Sequence, residues 1–201
     1  MRLEKLVRDA VLGTLAAVIG LLIFMLSALC VFFPSTMMEM TYDFGMDEMS
    51  IRFAKRAYKS TNEITYIAHA TEVAVELDDE AEIFYCAEQF IADDQFEEYC
   101  VNRNKEFSKE IRGTYEQYVY GQLCVAMYEL GNRTEAVERA FALLSDGFPQ
   151  NNVVAAVAIT ALRVGDVEIT QQIRVKIEQV QVEGLSEIDR AYYDGLLALM
   201  Q

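Results

Sequence analysis

Residues 115–166 read YEQYVYGQLCVAMYELGNRTEAVERAFALLSDGFPQNNVVAAVAITALRVGD, and what recurs inside them decides the fold. Leu130-Gly131-Asn132 returns as Val164-Gly165-Asp166, thirty-four residues later. Each triplet falls between two runs in which apolar residues keep helical spacing. Glycine supplies the left-handed conformation that stops a helix, and a polar residue beside it opens the next one. A unit of helix, turn and helix therefore repeats. One such hairpin exposes an apolar face that only a neighbouring hairpin covers, so the units must stack.

Thirty-four residues is the tetratricopeptide period, and residues 115–149 resemble one repeat of that family. Tyr120, Leu123, Cys124 and Met127 stand where the family has an aromatic, a leucine, a small residue and a tyrosine. Ala136 follows where the second helix needs a small side chain to approach the first, and Pro149 closes the unit one position later than usual. Thirty-four residues on, Val154, Val157 and Ala158 match the first helix, whereas Thr170 and Arg174 replace the small residues of the second. The resemblance implies an all-α, right-handed solenoid that holds a partner segment on a concave surface, lined by the first helix of each pair. By position, that surface would present Tyr118, Val125 and Tyr128 in one repeat and Asn152, Ile159 and Arg163 in the next. Asn152 and Arg163 would bond a peptide's backbone or carboxylate. The tyrosines also suit a core position with a wet hydroxyl.

Outward from this region, Pro149 is the only proline after Asp47, and the helical periodicity continues between short polar breaks. Helices are predicted over 47–60, 62–77, 80–92, 95–112, 115–130, 133–146, 151–164, 166–182 and 186–200. Thr114 with Gln117, Asn132 with Glu135 and Ser186 with Asp189 are start signals, and Gly113, Gly131, Gly165 and Gly184 are the matching stops. The last helix, with Ile188, Ala191, Tyr192, Leu196 and Leu199 on its apolar face, would cap the stack.

Toward the amino terminus, residues 10–33 hold no charged side chain between Asp9 and Pro34. As a helix they would measure ~36 Å, enough for a hydrocarbon core of ~30 Å with some tilt. A cleaved signal peptide has a shorter apolar region of ~7–15 residues, and bulky Leu29 before Cys30 is wrong for a lipoprotein signal. The run reads as a transmembrane anchor. Gly13 with Ala17, and Ala16 with Gly20, would let a second such helix approach, which admits self-association. Arg2, Lys5 and Arg8 precede the anchor and the nearest basic residue after it is Arg52, so the amino terminus is expected on the cytoplasmic side and the domain outside. The expected organisation is a cytoplasmic tail (1–9), a transmembrane helix (10–33), a juxtamembrane segment (34–46) and a helical-repeat domain of about nine short helices (47–201).

Composition narrows the partners. The formal net charge is −15, and a surface this acidic repels nucleic acid and anionic lipid. A neutral or basic protein or peptide remains. Residues 60–102 concentrate the charge, with twelve acids, no Lys or Arg, and the single histidine, His69. They lack the residue order of a calcium loop, while Asp78, Asp79, Asp93 and Asp94 fall where helices begin and would cap them. A surface for a basic partner is the functional alternative. Met37, Met38, Met40, Met46 and Met49 follow the anchor; such thioethers either bind Cu(I) or, with Phe32, Phe33 and Tyr42, sit at the lipid interface or pack under the first helix. Cys86, Cys100 and Cys124 are an odd set, and helix axes ~8–10 Å apart favour free thiols over a Cys86–Cys100 bridge.

No nucleophile elbow, phosphate-binding glycine loop, CxxC pair or HExxH occurs. Neither catalysis nor a cofactor or metal site is expected. The expected function is that of a membrane-anchored scaffold or adaptor for a protein or peptide partner at the extracytoplasmic surface. In outline the chain resembles the small anchored repeat proteins that accompany bacterial translocons and envelope machines. Two alternatives are a cytosol-facing receptor for basic targeting segments, and a metal-handling protein using the methionine cluster or the acidic span.

Overall fold

The structure is a computed structural model that describes residues 2–107, 113–143, 152–179 and 187–201. Among these residues every regular element is a helix: α1 (Arg2–Phe32), α2 (Pro34–Asp43), α3 (Asp47–Thr61), α4 (Ile64–Glu76), α5 (Glu80–Ile91), α6 (Phe96–Phe107), α7 (Tyr115–Glu129), α8 (Arg133–Ala142), α9 (Asn152–Val164), α10 (Val167–Gln179) and α11 (Glu187–Leu199). The eleven helices exceed the expected anchor plus about nine by one, and the additional element is α2. Pro34 ends the apolar run and also occupies the first turn of α2, where a missing N–H costs nothing and the fixed φ suits a helix. Two compact units, Met1–Tyr66 and Ile67–Gln201, divide inside α4.

In the first unit, Val11–Phe32 is long and apolar enough to cross a membrane and is not covered by other helices. Phe33, at φ −132° and ψ 62°, breaks the helical path before α2. α2 lays Met37, Met38 and Thr41 inward, and α3 answers with Ser50, Ile51, Phe53, Ala54 and Ala57. The Ser50 hydroxyl donates to the Met38 carbonyl at 3.1 Å, and the Thr41 hydroxyl folds back on the Met37 carbonyl at 2.7 Å. The methionine cluster is thus divided: Met37 and Met38 are buried, while Met40, Met46 and Met49 face outward.

In the second unit α7 is central, packed against α5, α8 and α9. The α7 and α9 helices run parallel, because contacts between them keep an almost constant offset along both. Asn152 bonds Gln117 near their amino ends, Gly121 lies against Ala156 at mid-length, and Arg163 pairs with Glu129 near their carboxyl ends. Ala136 and Ala140 are fully buried in α8, where small side chains permit close approach.

Thr114 caps α7 as predicted, its hydroxyl accepting from the Gln117 amide at 3.1 Å, and Asp79 caps α5 through the Glu82 amide at 3.0 Å. Asn132 precedes α8 without a side-chain capping bond, so the expected pairing with Glu135 is not made. Gly131 and Gly165 have φ of +96° and +70° at equivalent turns, a conformation in which a Cβ is strained. Pro149, Gly184 and Ser186 lie outside the described residues. In α11 the inward residues are Asp189, Tyr193 and Leu196, with Met200 just past its end, and the expected apolar face is corrected: Ile188, Ala191 and Leu199 are exposed. Both sets keep helical spacing, share Leu196 and hold one tyrosine each, so spacing alone does not choose between them. Tyr192 still reaches the Ala155 backbone of α9.

Candidate functional site

Parallel packing of α7 and α9 creates one groove of interest. It encloses about 160 Å³ and is lined by Thr114, Gln117, Tyr118, Gly121, Gln122, Val125, Asn152 and Ala156. Gly121 has no side chain, and a Cβ built there would lie 3.8 Å from the Ala156 methyl. The backbones can therefore approach at mid-length while larger side chains rise beside them. At one end the Asn152 amide donates to the Gln117 carbonyl oxygen at 2.9 Å. Gly113 makes room for this bond: with φ +123°, it lies where a Cβ would run into the Asn152 amide.

Tyr118, Gln122, Val125 and Glu129 occupy one stripe of α7 at helical spacing. Asn152, Ala156, Ile159 and Arg163 form the stripe one period later. Of the residues chosen from sequence, Tyr118, Val125 and Asn152 come together in the groove. Ile159 lies farther along α9 and is 55% exposed. Arg163, beyond it, holds the Glu129 carboxylate at 3.0 Å. Tyr128 lies one position off the α7 stripe, is buried, and donates its hydroxyl to Asp166 at 2.7 Å. Gln117, Gly121 and Gln122 line the groove without having been singled out by family position. Gln122 continues the Tyr118–Val125 stripe, whereas Gln117 and Gly121 lie one position off it, and only the packing of Gly121 against Ala156 brings them to the groove.

The groove offers amides, a phenol and an apolar wall, which are binding groups. Gln and Asn present both a donor and an acceptor, the combination an extended peptide backbone requires. Burial first, then the charges of Glu72 and Glu76, push the Tyr118 phenol up from its ordinary pKa, so it stays protonated at neutral pH.

Two polar clusters hold α7 in place. Near its start, the Tyr115 hydroxyl donates to Glu72 Oε1 at 2.7 Å, Arg103 donates to the same oxygen at 3.2 Å, and the guanidinium lies over the Tyr115 ring at 5.8 Å. Near its end, Asp166 Oδ2 accepts from Tyr128 and from Arg133 at 2.7 and 2.9 Å, and Arg133 lies over the Tyr128 ring at 5.3 Å. Much of the acidic span is similarly engaged: Asp79 caps α5, Asp93 bonds the Gln95 amide, and Glu88 pairs with Arg139.

Burial pushes the Cys100 and Cys124 thiols up to about 12; Glu116 adds to the effect at Cys100, while at Cys124 Arg139 opposes it and Glu88 adds to it. Both are thiols at neutral pH and, like Cys86, are buried and form no disulfide. His69 is partly buried, and desolvation lowers its pKa against the opposing influence of Glu72 and Glu76. Among the described residues, no three His, Cys, Asp or Glu side chains are grouped to hold a metal ion. Compared with known families, curated proteins and solved structures, the chain finds no match.

Proposed function

We propose that the chain is a single-pass membrane protein displaying a tetratricopeptide-like, right-handed helical solenoid, which binds an extended segment of a partner protein in the α7–α9 groove. The observation that carries this reading is the pair of stripes thirty-four residues apart, which join Tyr118, Val125 and Asn152 around one cleft. Support for the repeat comes from Glu129 and Arg163, which hold equivalent positions in consecutive units and touch each other. A translational stack requires contacts of this kind. The protein acts by binding rather than catalysis, and its acidic surface selects a neutral or basic partner.

The anchor is α1. Three basic residues before it and none until Arg52 support an amino terminus in the cytoplasm and a repeat domain outside. A photo-crosslinking residue at Gln122 of the membrane-embedded protein is expected to capture a partner, and Tyr118→Ala combined with Val125→Asp to abolish the adduct. An adduct that survives both changes overturns the groove assignment. Protease access to a tag at Gln201 on sealed cells tests the orientation. Protection of that tag would favour the cytosol-facing receptor instead.

A further inference from the structure

We infer that the turn between α2 and α3 inserts its apolar side chains into the lipid interface of the membrane that α1 crosses, so that the first unit holds the bilayer by a helix and a shallow wedge. This rests on the reading of α1 as a membrane helix. The inward faces of α2 and α3 are already satisfied by Met37, Met38, Thr41, Ser50 and Ile51. On the outside the same short segment exposes Met40, Tyr42, Phe44, Met46 and Met49. Phe44 is 72% exposed, at the turn where Gly45 takes φ +67° and the Met46 amide returns to the Thr41 carbonyl at 2.8 Å. That bond closes the turn and leaves the Phe44 ring at its tip.

Continuity with α1 identifies the occupant. Phe32 and Phe33, both exposed, end the apolar helix, and Phe44 follows after one ten-residue helix. If α2 prolonged the axis of α1, its ~15 Å length would carry Phe44 past the headgroups. Non-helical Phe33, ahead of Pro34 at the start of α2, breaks that axis, which lets α2 lie over the surface. Aromatic and thioether side chains are suited to this zone, where apolar bodies enter the acyl boundary and polar tips such as the Tyr42 hydroxyl stay wet. No Lys or Arg lies in residues 33–51, whereas Glu39, Asp43, Asp47 and Glu48 do. Insertion is therefore driven by apolar burial and requires no anionic lipid.

The chain contains no tryptophan, so Phe44→Trp gives a single fluorescent reporter and Phe24→Trp, within α1, a separate control for the span. Each full-length variant is reconstituted into phosphatidylcholine vesicles with or without brominated acyl chains. The expected result is a blue-shifted F44W emission that brominated lipid quenches, with F24W quenched as well. Quenching of F24W alone overturns the wedge and leaves the span intact. A blue-shifted F44W that brominated lipid does not quench means burial against protein, in a second copy or another partner, and also overturns it. Loss of quenching in both variants removes the membrane reading of α1 and this inference together.

Discussion

The two ends of α7 carry the same three side-chain types and use them differently. At the start, Tyr115 and Arg103 share one oxygen of Glu72, which projects from within α4. At the end, Tyr128 and Arg133 share one oxygen of Asp166, while its other oxygen accepts the Ile169 amide and caps α10 at 3.2 Å. Tyr115 is also enclosed by rings, with centroids of Phe90, Tyr99 and Tyr118 at 6.4, 6.1 and 6.0 Å. Thus the first junction is chiefly aromatic packing with a polar latch, and the second is a polar clasp that starts a helix. Similar triads need not stabilise by the same means.

The largest effect should come from removing the packed ring. Tyr115→Ala is expected to lower stability by about 4 kcal/mol, as for other aromatic truncations in cores. Tyr115→Phe keeps the ring and should cost only about 1 kcal/mol for the lost hydroxyl bond. Urea unfolding of the full chain in micelles, followed by circular dichroism, measures both. Equal losses would mean that the hydroxyl, rather than the ring, holds this end of α7.

At the other end the polar groups should dominate. Asp166→Ala removes a cap and the acceptor for two donors, for an expected loss of about 2 kcal/mol. Asp166→Asn retains a capping oxygen but no charge, and should cost about 1 kcal/mol in the same unfolding experiment. If Asn proves as costly as Ala, the charge facing Arg133 matters more than the cap.

The clasp also predicts a pH response. The Tyr128 hydroxyl, the Ile169 amide and Arg133 hold the Asp166 carboxyl below its usual pKa. The folded chain therefore binds this proton less readily than the unfolded one. The resulting stability is present above the ordinary carboxylate value of ~3.9 and is lost as pH falls through the lower folded value. Tyr128 has the opposite sign: burial and the Asp166 carboxylate push it up to about 12. Its contribution is complete below the unfolded value of ~10 and is lost as pH rises through the folded one. Unfolding midpoints measured against pH should show Asp166→Asn weakening the acid dependence and Tyr128→Phe weakening the alkaline dependence. Some alkaline dependence will remain, because the Tyr115 phenol is also raised.

This contrast also marks what could be read in advance. The apolar run, the Thr114 cap and the glycine turns depend on neighbours in sequence, and each is visible in local composition. The 34-residue recurrence likewise marked Asp166 as the polar residue that opens a helix, in the place Asn132 holds one period earlier. Its bonds to Tyr128 and Arg133 were not legible, because they require the turn after α9 to reach the α7–α8 turn. Glu72 was harder still: among twelve acids in residues 60–102, nothing local marks it as the partner of Tyr115 forty-three residues away. α2 was hidden for another reason, because a proline that ends one helix also makes a good first residue for the next. In the groove, family position led to Tyr118, Val125 and Asn152, whereas Gly121 gains its importance only from the facing Ala156.

The smallest expected effect separates the clasp from the groove. Arg163 pairs with Glu129 at 3.0 Å, but its side chain is 68% exposed. Arg163→Ala should therefore change stability by less than ~0.5 kcal/mol, as for other solvent-exposed pairs. A double-mutant cycle with Glu129→Ala isolates their coupling from any other loss. The same variant can be assayed by the Gln122 crosslink, which does not depend on that small coupling. Reduced capture at unchanged stability would assign Arg163 to partner binding and extend the site beyond the pocket. Unchanged capture would confine the site to the Gln117–Val125 end of α7 and leave Arg163 a contact between successive hairpins.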